Sequence, residues 1–315
     1  LREQPLVAVV TLNWNGAAYL KECVDSILAS DYPNFVTIIS DNGSTDGSLK
    51  LLETVYGGDL RVTVLENGAN LGYSLGMNRG LSHGFGTLGA DYCLVMNNDT
   101  RIDGKAISSL VKAADADERI AFVTGKVYYY DAPDTFQTVG KASHPVLING
   151  GHIGRGEIDA GQYDQDRELA FCDDIFWLVS KQVYDATGGY DPEFYLQSED
   201  FDWQLRAKNA GYKIMYAHNA KIWHKESMSL GKRSSRKAYY DARNPMVAVM
   251  KNCVPSIAAA YLKARTYKVL LPSIAKNALK GNMGISLAMF RGMSSAWIWR
   301  YRHGLKKTYP DNATL

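Results

Sequence analysis

The sequence predicts an α/β fold with a helical C-terminal appendage, on three observations. Apolar strand-like runs alternate with helix-period segments through the first hundred residues. Polar clusters follow three of those runs directly: Asn13-Trp14-Asn15-Gly16, Asp41-Asn42-Gly43-Ser44 and Asn97-Asn98-Asp99-Thr100. Residues 255–307 then read as helices that carry Lys and Arg and no acid.

Taken in order, residues 6–12 form a short apolar strand. Over residues 17–29, Leu20, Cys23, Val24, Ile27 and Leu28 share one helical face. A second strand, 36–40, precedes a short helix at 48–55; a third, 61–65, precedes a helix at 72–81, and a fourth spans 92–96. In an open α/β sheet ligands bind beyond the carboxyl ends of the strands, so the three polar clusters are expected to share one crevice. Residues 128–168 lose periodicity and read as long loops with short strands bordering a second substrate. Regular patterning resumes with an apolar run at 176–180, a helix at 199–210 with Ser198 as N-cap, and strands at 212–217 and 220–223 that end at His224.

With 46% hydrophobic and 22% charged residues over 315 positions, the composition excludes extended disorder. Cys23, Cys93, Cys172 and Cys253 form no C-x-x-C pair, which argues against a zinc site or redox dithiol. No signal-peptide pattern opens the sequence and no run of about 18 apolar residues occurs, so the expected location is cytoplasmic. The formal charge of +2 conceals a split. Residues 1–241 hold 23 Lys/Arg against 32 Asp/Glu, and residues 242–315 hold 12 against one, or about −9 and +11. The tail is expected to face an anionic surface, phospholipid or nucleic acid; without a recognisable reading motif, nucleic acid is disfavoured.

Several residues are candidates for chemistry. Asp99 directly follows an apolar strand, where its carboxylate is placed to hold a hard cation at the sheet edge; a polar turn is the commoner meaning of such a tripeptide. Glu199 and Asp200 crowd each other at a helix start, where one is a candidate general base and plain N-terminal capping is the commoner reading. Asp173 and Asp174 interrupt the apolar stretch 171–179, which also contains Trp177; burying two carboxylates is costly, so a cleft facing an acceptor is expected there. The basic run 233–237 is a candidate phosphate contact, with a solvated loop the alternative.

Nine ordered segments together resemble family 2 glycosyltransferases of the GT-A fold, especially the bacterial rhamnosyltransferase-like branch. They are T-L-N-W-N-G (11–16), D-N-G-S-T-D-G-S (41–48), E-N-G-A-N-L-G-Y (66–73), M-N-N-D-T (96–100), G-G-Y-D-P-E-F (188–194), S-E-D-F-D-W-Q-L-R (198–206), A-G-Y-K-I (210–214), I-W-H (222–224) and A-R-N-P (242–245). The resemblance implies a Rossmann-like mixed sheet flanked by helices, with a catalytic domain over 1–252 (nucleotide-sugar half 1–127, acceptor half 128–252) and a basic helical region over 253–315. It further implies that Thr11, Asn13, Asp41 and Asn42 line the nucleoside pocket, that Asn70, Gly72 and Tyr73 close over it with Asn78 and Arg79 nearby, and that Asn97, Asn98 and Asp99 form the family's D-x-D element. Asn97 departs from that element by replacing its first acid. Asp99 and His224 are the implied ligands of Mg2+ or Mn2+. Asp200, with Glu199 beside it, is the implied base for an inverting displacement.

The expected substrates are a dTDP- or UDP-linked sugar, with L-rhamnose from dTDP-rhamnose foremost, and a glycan or lipid-linked acceptor in cell-surface polysaccharide synthesis. UDP-hexose, UDP-GlcNAc and UDP-galactofuranose are competing donors. The tail implies a peripheral enzyme on the inner face of the membrane, and a homo-oligomer is compatible with the sequence. The reading from another class is a non-catalytic, membrane-associated nucleotide-binding protein. A dehydrogenase is disfavoured, because no G-x-G-x-x-G follows the first strand.

Overall fold

In the computed structural model, which describes residues 4–225 and 234–305, the alternation read from the first hundred residues appears within a residue or two of its expected bounds. Strand β1 (Val7–Asn13) leads to α1 (Ala17–Leu28), β2 (Phe35–Asp41), α2 (Ser48–Tyr56), β3 (Val62–Glu66) and α3 (Tyr73–Ser82). A π-helical turn, His83–Thr87, precedes β4 (Tyr92–Asn97), β5 (Thr100–Ile102), α4 (Ala106–Ala114) and β6 (Ile120–Tyr129). Short strands β7 (Phe136–Thr138), β8 (Lys141–His144), β9 (Ile148–His152) and β10 (Arg167–Leu169) occupy the aperiodic stretch. They lead to β11 (Phe176–Ser180), α5 (Lys181–Thr187), α6 (Glu199–Asn209) and β12 (Lys213–His224). The chain closes with α7 (Ser235–Asn252), α8 (Pro255–Ala264), a π-helical stretch Arg265–Leu270, α9 (Leu271–Leu279) and α10 (Met283–His303).

The main sheet is mixed, in the order β10-β12-β6-β11-β4-β1-β2-β3, with β5 added to β12 and β7 to β6. Strands β3, β2, β1 and β4 run parallel, and β11 enters antiparallel between β4 and β6. The strands are near-continuous apolar runs because both faces are covered. Val7, Val9, Leu94, Met96, Phe176 and Leu178 face the layer of α1 and α4. Ala8, Val10, Cys93, Val95, Trp177 and Val179 face α3 and α6. The two strands expected at 212–217 and 220–223 are one strand, β12, whose pairing with β6 shifts register between Tyr216 and Lys221. That irregularity lets one strand run on to place His224 beside β5.

The break expected at residue 252 falls at the end of α7, yet packing does not stop there. Phe194, Phe201 and Leu205 share a buried cluster with Met246, Val247, Tyr261, Leu262, Met293 and Ala296. Pro245 lies inside α7 and has no N–H to donate to the carbonyl of Asp241. Arg265 Nη2 donates to that freed carbonyl at 2.9 Å, tying the C-terminal helices to the proline. Outward, the same region exposes Leu279, Met283, Leu287, Phe290 and Tyr301. Among the described residues no helix is long and apolar enough to cross a membrane.

Candidate active site

Strand register aligns the polar clusters. Asn13 pairs with Asp41, and Leu12 with Asn97, so the ends of β1, β2 and β4 lie side by side. Asn13 Nδ2 donates to Asp41 Oδ2 at 2.7 Å, and Asn98 Nδ2 donates to Asn13 Oδ1 at 2.8 Å. Asp41 also accepts from the Ser44 amide at 2.8 Å and hydroxyl at 2.7 Å. These buried side chains therefore satisfy one another, which is what the low dielectric at a sheet edge requires.

Above them opens a cleft of about 260 Å³ lined by Trp14, Asn42, Asn70, Gly72 and Tyr73 on one side and Asn97, Asn98, Asp99 and His224 on another. Asn42 Nδ2 donates to the carbonyl of Gly72 at 2.9 Å, and Asn70 Oδ1 accepts from the Gly72 amide at 2.9 Å and Tyr195 hydroxyl at 3.0 Å. Gly72 has φ +83°, and a Cβ there would meet the Tyr195 ring at 2.6 Å, so only glycine allows this approach. Arg236 covers the Tyr195 ring at 4.6 Å, and Arg236 and Lys237 complete the lining with positive charge. Arg233, the first residue of that basic run, lies outside the described residues.

Asp99 and His224 meet at the cleft wall, with Oδ1 to Nε2 at 3.2 Å, and Asn97 Nδ2 is 3.4 Å from the same ring nitrogen. Gln137 Oε1 faces His224 Nδ1 at 2.8 Å. An amide oxygen only accepts, so Nδ1 carries the proton and the Nε2 lone pair turns toward Asp99. Two electron-rich atoms so placed are the kind of pair that a cation can bridge. Among the described residues no group of three His, Cys, Asp or Glu side chains converges as a metal cluster.

A second cavity of about 470 Å³ adjoins the first, sharing Asn97 and Gln197, and holds Asp173, Asp174, Glu199 and Asp200. Gln197 and Ser198 both adopt the left-handed conformation, at φ +68° and +69°, rarely accessible to non-glycine residues. Asn244 Nδ2 holds this turn by donating to the carbonyls of Leu196 at 2.8 Å and Gln197 at 2.9 Å. Ser198 occupies the N-cap position expected of it, but in this conformation its side chain makes no capping hydrogen bond. Burial and the neighbouring Asp174 and Asp200 push Glu199 well above the usual carboxylate range. Burial, reinforced by Asp200, pushes Asp174 up to about 7. Burial also raises Asp200, against the opposing charge of Lys141. Burial works to raise Asp173 as well, but Lys141 and His152 outweigh it and hold Asp173 below its ordinary value.

Not every expected residue lines a cavity. Thr11 is fully buried beneath the cleft, and Asn13 and Asp41 lie in the network that supports it. Asn78 grips the backbone of Tyr190, with Nδ2 to the carbonyl at 2.7 Å and Oδ1 from the amide at 2.9 Å, and Arg79 is exposed on α3. Trp177, expected near the acceptor, is fully buried and stacks on Phe122 at 4.3 Å between centroids. Strand β11 is covered on both faces, so Trp177 packs into a core layer, while Asp173 and Asp174 precede the strand. Gln137, Lys141, His152, Tyr195, Asn244 and Arg265 are cavity or supporting residues that the sequence reading did not single out. Asn244 and Tyr195 lie in or beside quoted motifs, whereas Gln137, Lys141 and His152 fall in the aperiodic stretch and carry no sequence signal.

The fold and paired cavities define a GT-A glycosyltransferase. A sequence model described as glycosyl transferase family 2 matches residues 7–188, more than half of the chain, and the chain belongs to that family. It is 26% identical over 248 residues to the N-acetylglucosaminyl-diphospho-decaprenol L-rhamnosyltransferase of Mycobacterium tuberculosis, covering 72% of this chain and 78% of that one. Identity to the uncharacterized protein y4gI of Sinorhizobium fredii is 27% over 244 residues, 72% of this chain but only 25% of that longer protein. Among solved structures, the fold is similar to Staphylococcus aureus TarS 1–349 in complex with UDP-GlcNAc (TM-score 0.60, 15% identity, covering 92% and 80% of the two chains). It is also similar to the mannosyltransferase PcManGT of Pyrobaculum calidifontis in complex with GDP-Man and Mn2+ (TM-score 0.56, 16% identity, covering 94% and 88%).

Proposed function

We propose that this glycosyltransferase moves L-rhamnose from dTDP-rhamnose, with inversion, onto a glycan or lipid-linked acceptor in cell-surface polysaccharide synthesis. The observation that carries the reading is the adjacency of the two cavities through Asn97 and Gln197, with Asp99 and His224 in one and Glu199 and Asp200 in the other. The relative from Mycobacterium tuberculosis, named for L-rhamnosyl transfer to a lipid-linked acceptor, supports the choice of sugar and acceptor. UDP-linked sugars are the competing donors.

In this reading Asn42, Asn70 and Tyr73 hold the nucleoside, and Arg236 and Lys237 pair with the diphosphate. Asp99 and His224 Nε2 fit Mg2+ or Mn2+ as two protein ligands; a divalent cation bound there offsets the charge of the departing diphosphate. Asp200 takes the proton of the acceptor hydroxyl as its oxygen bonds to the anomeric carbon, and the bond from that carbon to the phosphate oxygen breaks. Glu199, buried beside it and held well above the usual carboxylate range by burial and by Asp174 and Asp200, leaves Asp200 as the proton acceptor of the pair. The basic, acid-free face of α9 and α10, with exposed Leu279, Leu287 and Phe290, supports docking on an anionic membrane.

The test is nucleoside diphosphate release from dTDP-rhamnose, UDP-GlcNAc and UDP-galactose with Mn2+ and a lipid-linked acceptor, with the anomeric configuration of the product read by NMR. Release from dTDP-rhamnose with an inverted product is expected; a retained anomer or preference for a UDP-sugar refutes the corresponding part.

A further inference from the structure

Lys141 lies on β8, in the two-stranded hairpin β8–β9 that stands apart from the main sheet. Its backbone is fastened to the segment preceding Asp173, because its amide donates to the Phe171 carbonyl at 2.7 Å. Its ammonium pairs with Asp173 and lies 3.8 Å from Asp200 Oδ2, and all three side chains are less than a fifth exposed. A cation this far removed from water persists only with such partners.

The rest of the chamber shows what that placement does. Asp174 and Glu199 face the same space, and Glu199 Oε2 is buried without a hydrogen-bond partner. From the surrounding elements, His152 of β9 lies 3.2 Å from Asp173, the Tyr190 hydroxyl donates to Asp174 at 3.0 Å, and Tyr73 packs edge-on against Tyr190. Asp241 of α7 adds its negative charge to the surroundings of Glu199, and Tyr261 and Arg265 close the C-terminal side, Arg265 donating to the Asp241 carbonyl. Four carboxylates in one chamber cannot all ionise, so the position of the nearest cation decides which do. Lys141 adjoins Asp173 and Asp200, and no ion pair links it to Glu199 or Asp174 among the described residues.

We propose that Lys141 is a positioning residue which, by bridging Asp173 and Asp200, favours the ionised Asp200 carboxylate over those of Glu199 and Asp174 and fixes it to receive the acceptor proton. This rests on the reading of Asp200 as the base. Burial works to lower Lys141, yet Asp173 and Asp200 hold it above its ordinary value. The Lys141 charge is the leading influence opposing the burial of Asp200.

The experiment follows kcat/KM for nucleoside diphosphate release from pH 5 to 9 in the wild type, Lys141→Met, Lys141→Arg and Asp200→Asn. Lys141→Met is expected to move the acid limb about one pH unit toward alkali, a loss of roughly tenfold at the acid end that recovers at high pH. Lys141→Arg is expected to keep the limb in place, and donor affinity by calorimetry should not change in either. Asp173→Asn, which leaves Lys141 to Asp200 alone, is expected to move the limb the opposite way, and it decides the matter should Lys141→Met fail to fold. A limb unmoved in Lys141→Met, a loss uniform with pH, or an alkaline shift in Asp173→Asn overturns the role of Lys141 while leaving Asp200 as the base. Full turnover in Asp200→Asn overturns both.

Discussion

Gln137 Oε1 accepts a hydrogen bond from His224 Nδ1 at 2.8 Å, although the two residues stand 87 positions apart. The contact selects the tautomer whose Nε2 faces Asp99, and such supporting partners govern metal affinity through the ligand they orient. Gln137→Leu is expected to weaken Mn2+-dependent donor binding by about 10–100-fold in calorimetry. Unaltered affinity, or donor binding that is identical with chelator in the wild type, removes the cation from Asp99 and His224.

Asp200→Asn removes a proton acceptor without changing shape. Turnover is expected to fall by roughly 10²–10⁴ with donor affinity retained. A parallel loss of donor affinity would assign Asp200 to binding instead.

The raised Asp174 links the chamber to stability. Its folded value, about 7, lies above the ordinary 3.8, so the native state keeps a proton that the unfolded chain releases. The associated stability is complete below about pH 4 and is lost as pH rises through about 7. Asp174→Asn, a permanently neutral substitute, should melt above the wild type at pH 8 and close to it at pH 4.5. The opposite order in thermal unfolding would show Asp174 ionised in the fold.

Asn244→Ala leaves the carbonyls of Leu196 and Gln197 without their donor. Each buried acceptor left unpaired costs about 1–3 kcal/mol, and the left-handed turn before Glu199 loses its restraint. Urea unfolding should show that loss, together with a fall in kcat. Wild-type stability would mean that the turn holds itself.

Truncation after Asn252 is a poor test of membrane docking, because it strips Tyr261, Leu262, Met293 and Ala296 from a buried cluster. Charge reversal at exposed Lys276, Lys280 and Arg291 leaves that cluster intact. Each cation near an anionic leaflet contributes about 1 kcal/mol, so the triple Glu variant should bind phosphatidylserine vesicles on the order of a hundredfold more weakly. Equal sedimentation of variant and wild type would refute docking by this face.

Legibility followed local pattern. Helix α1 was readable because Leu20, Cys23, Val24 and Ile27 recur at helical spacing, and β1, β2 and β4 because apolar runs end in polar clusters. Strand β12 looks like two pieces in the sequence, since His218 and Asn219 interrupt its apolar pattern at the same place where its register against β6 shifts. Residues 101–127 carry none of the elements expected from the sequence, yet α4 and β6 there supply much of one core layer. Pro245 argues against the helix interior in which α7 places it, and Arg265 donates to the carbonyl that the proline frees.

The sequence by itself determined the α/β class, the family, and the polar strand ends and Ser198-Glu199-Asp200 segment on which the site is built. These are local matters, set by side-chain periodicity and by residue types at strand ends. Tertiary structure alone decided that Gln137 orients His224, that Lys141 stands between Asp173 and Asp200, and that Trp177 belongs to the core. Long-range register and burial make those contacts, and the charge balance among buried carboxylates depends on distances that no spacing along the chain encodes.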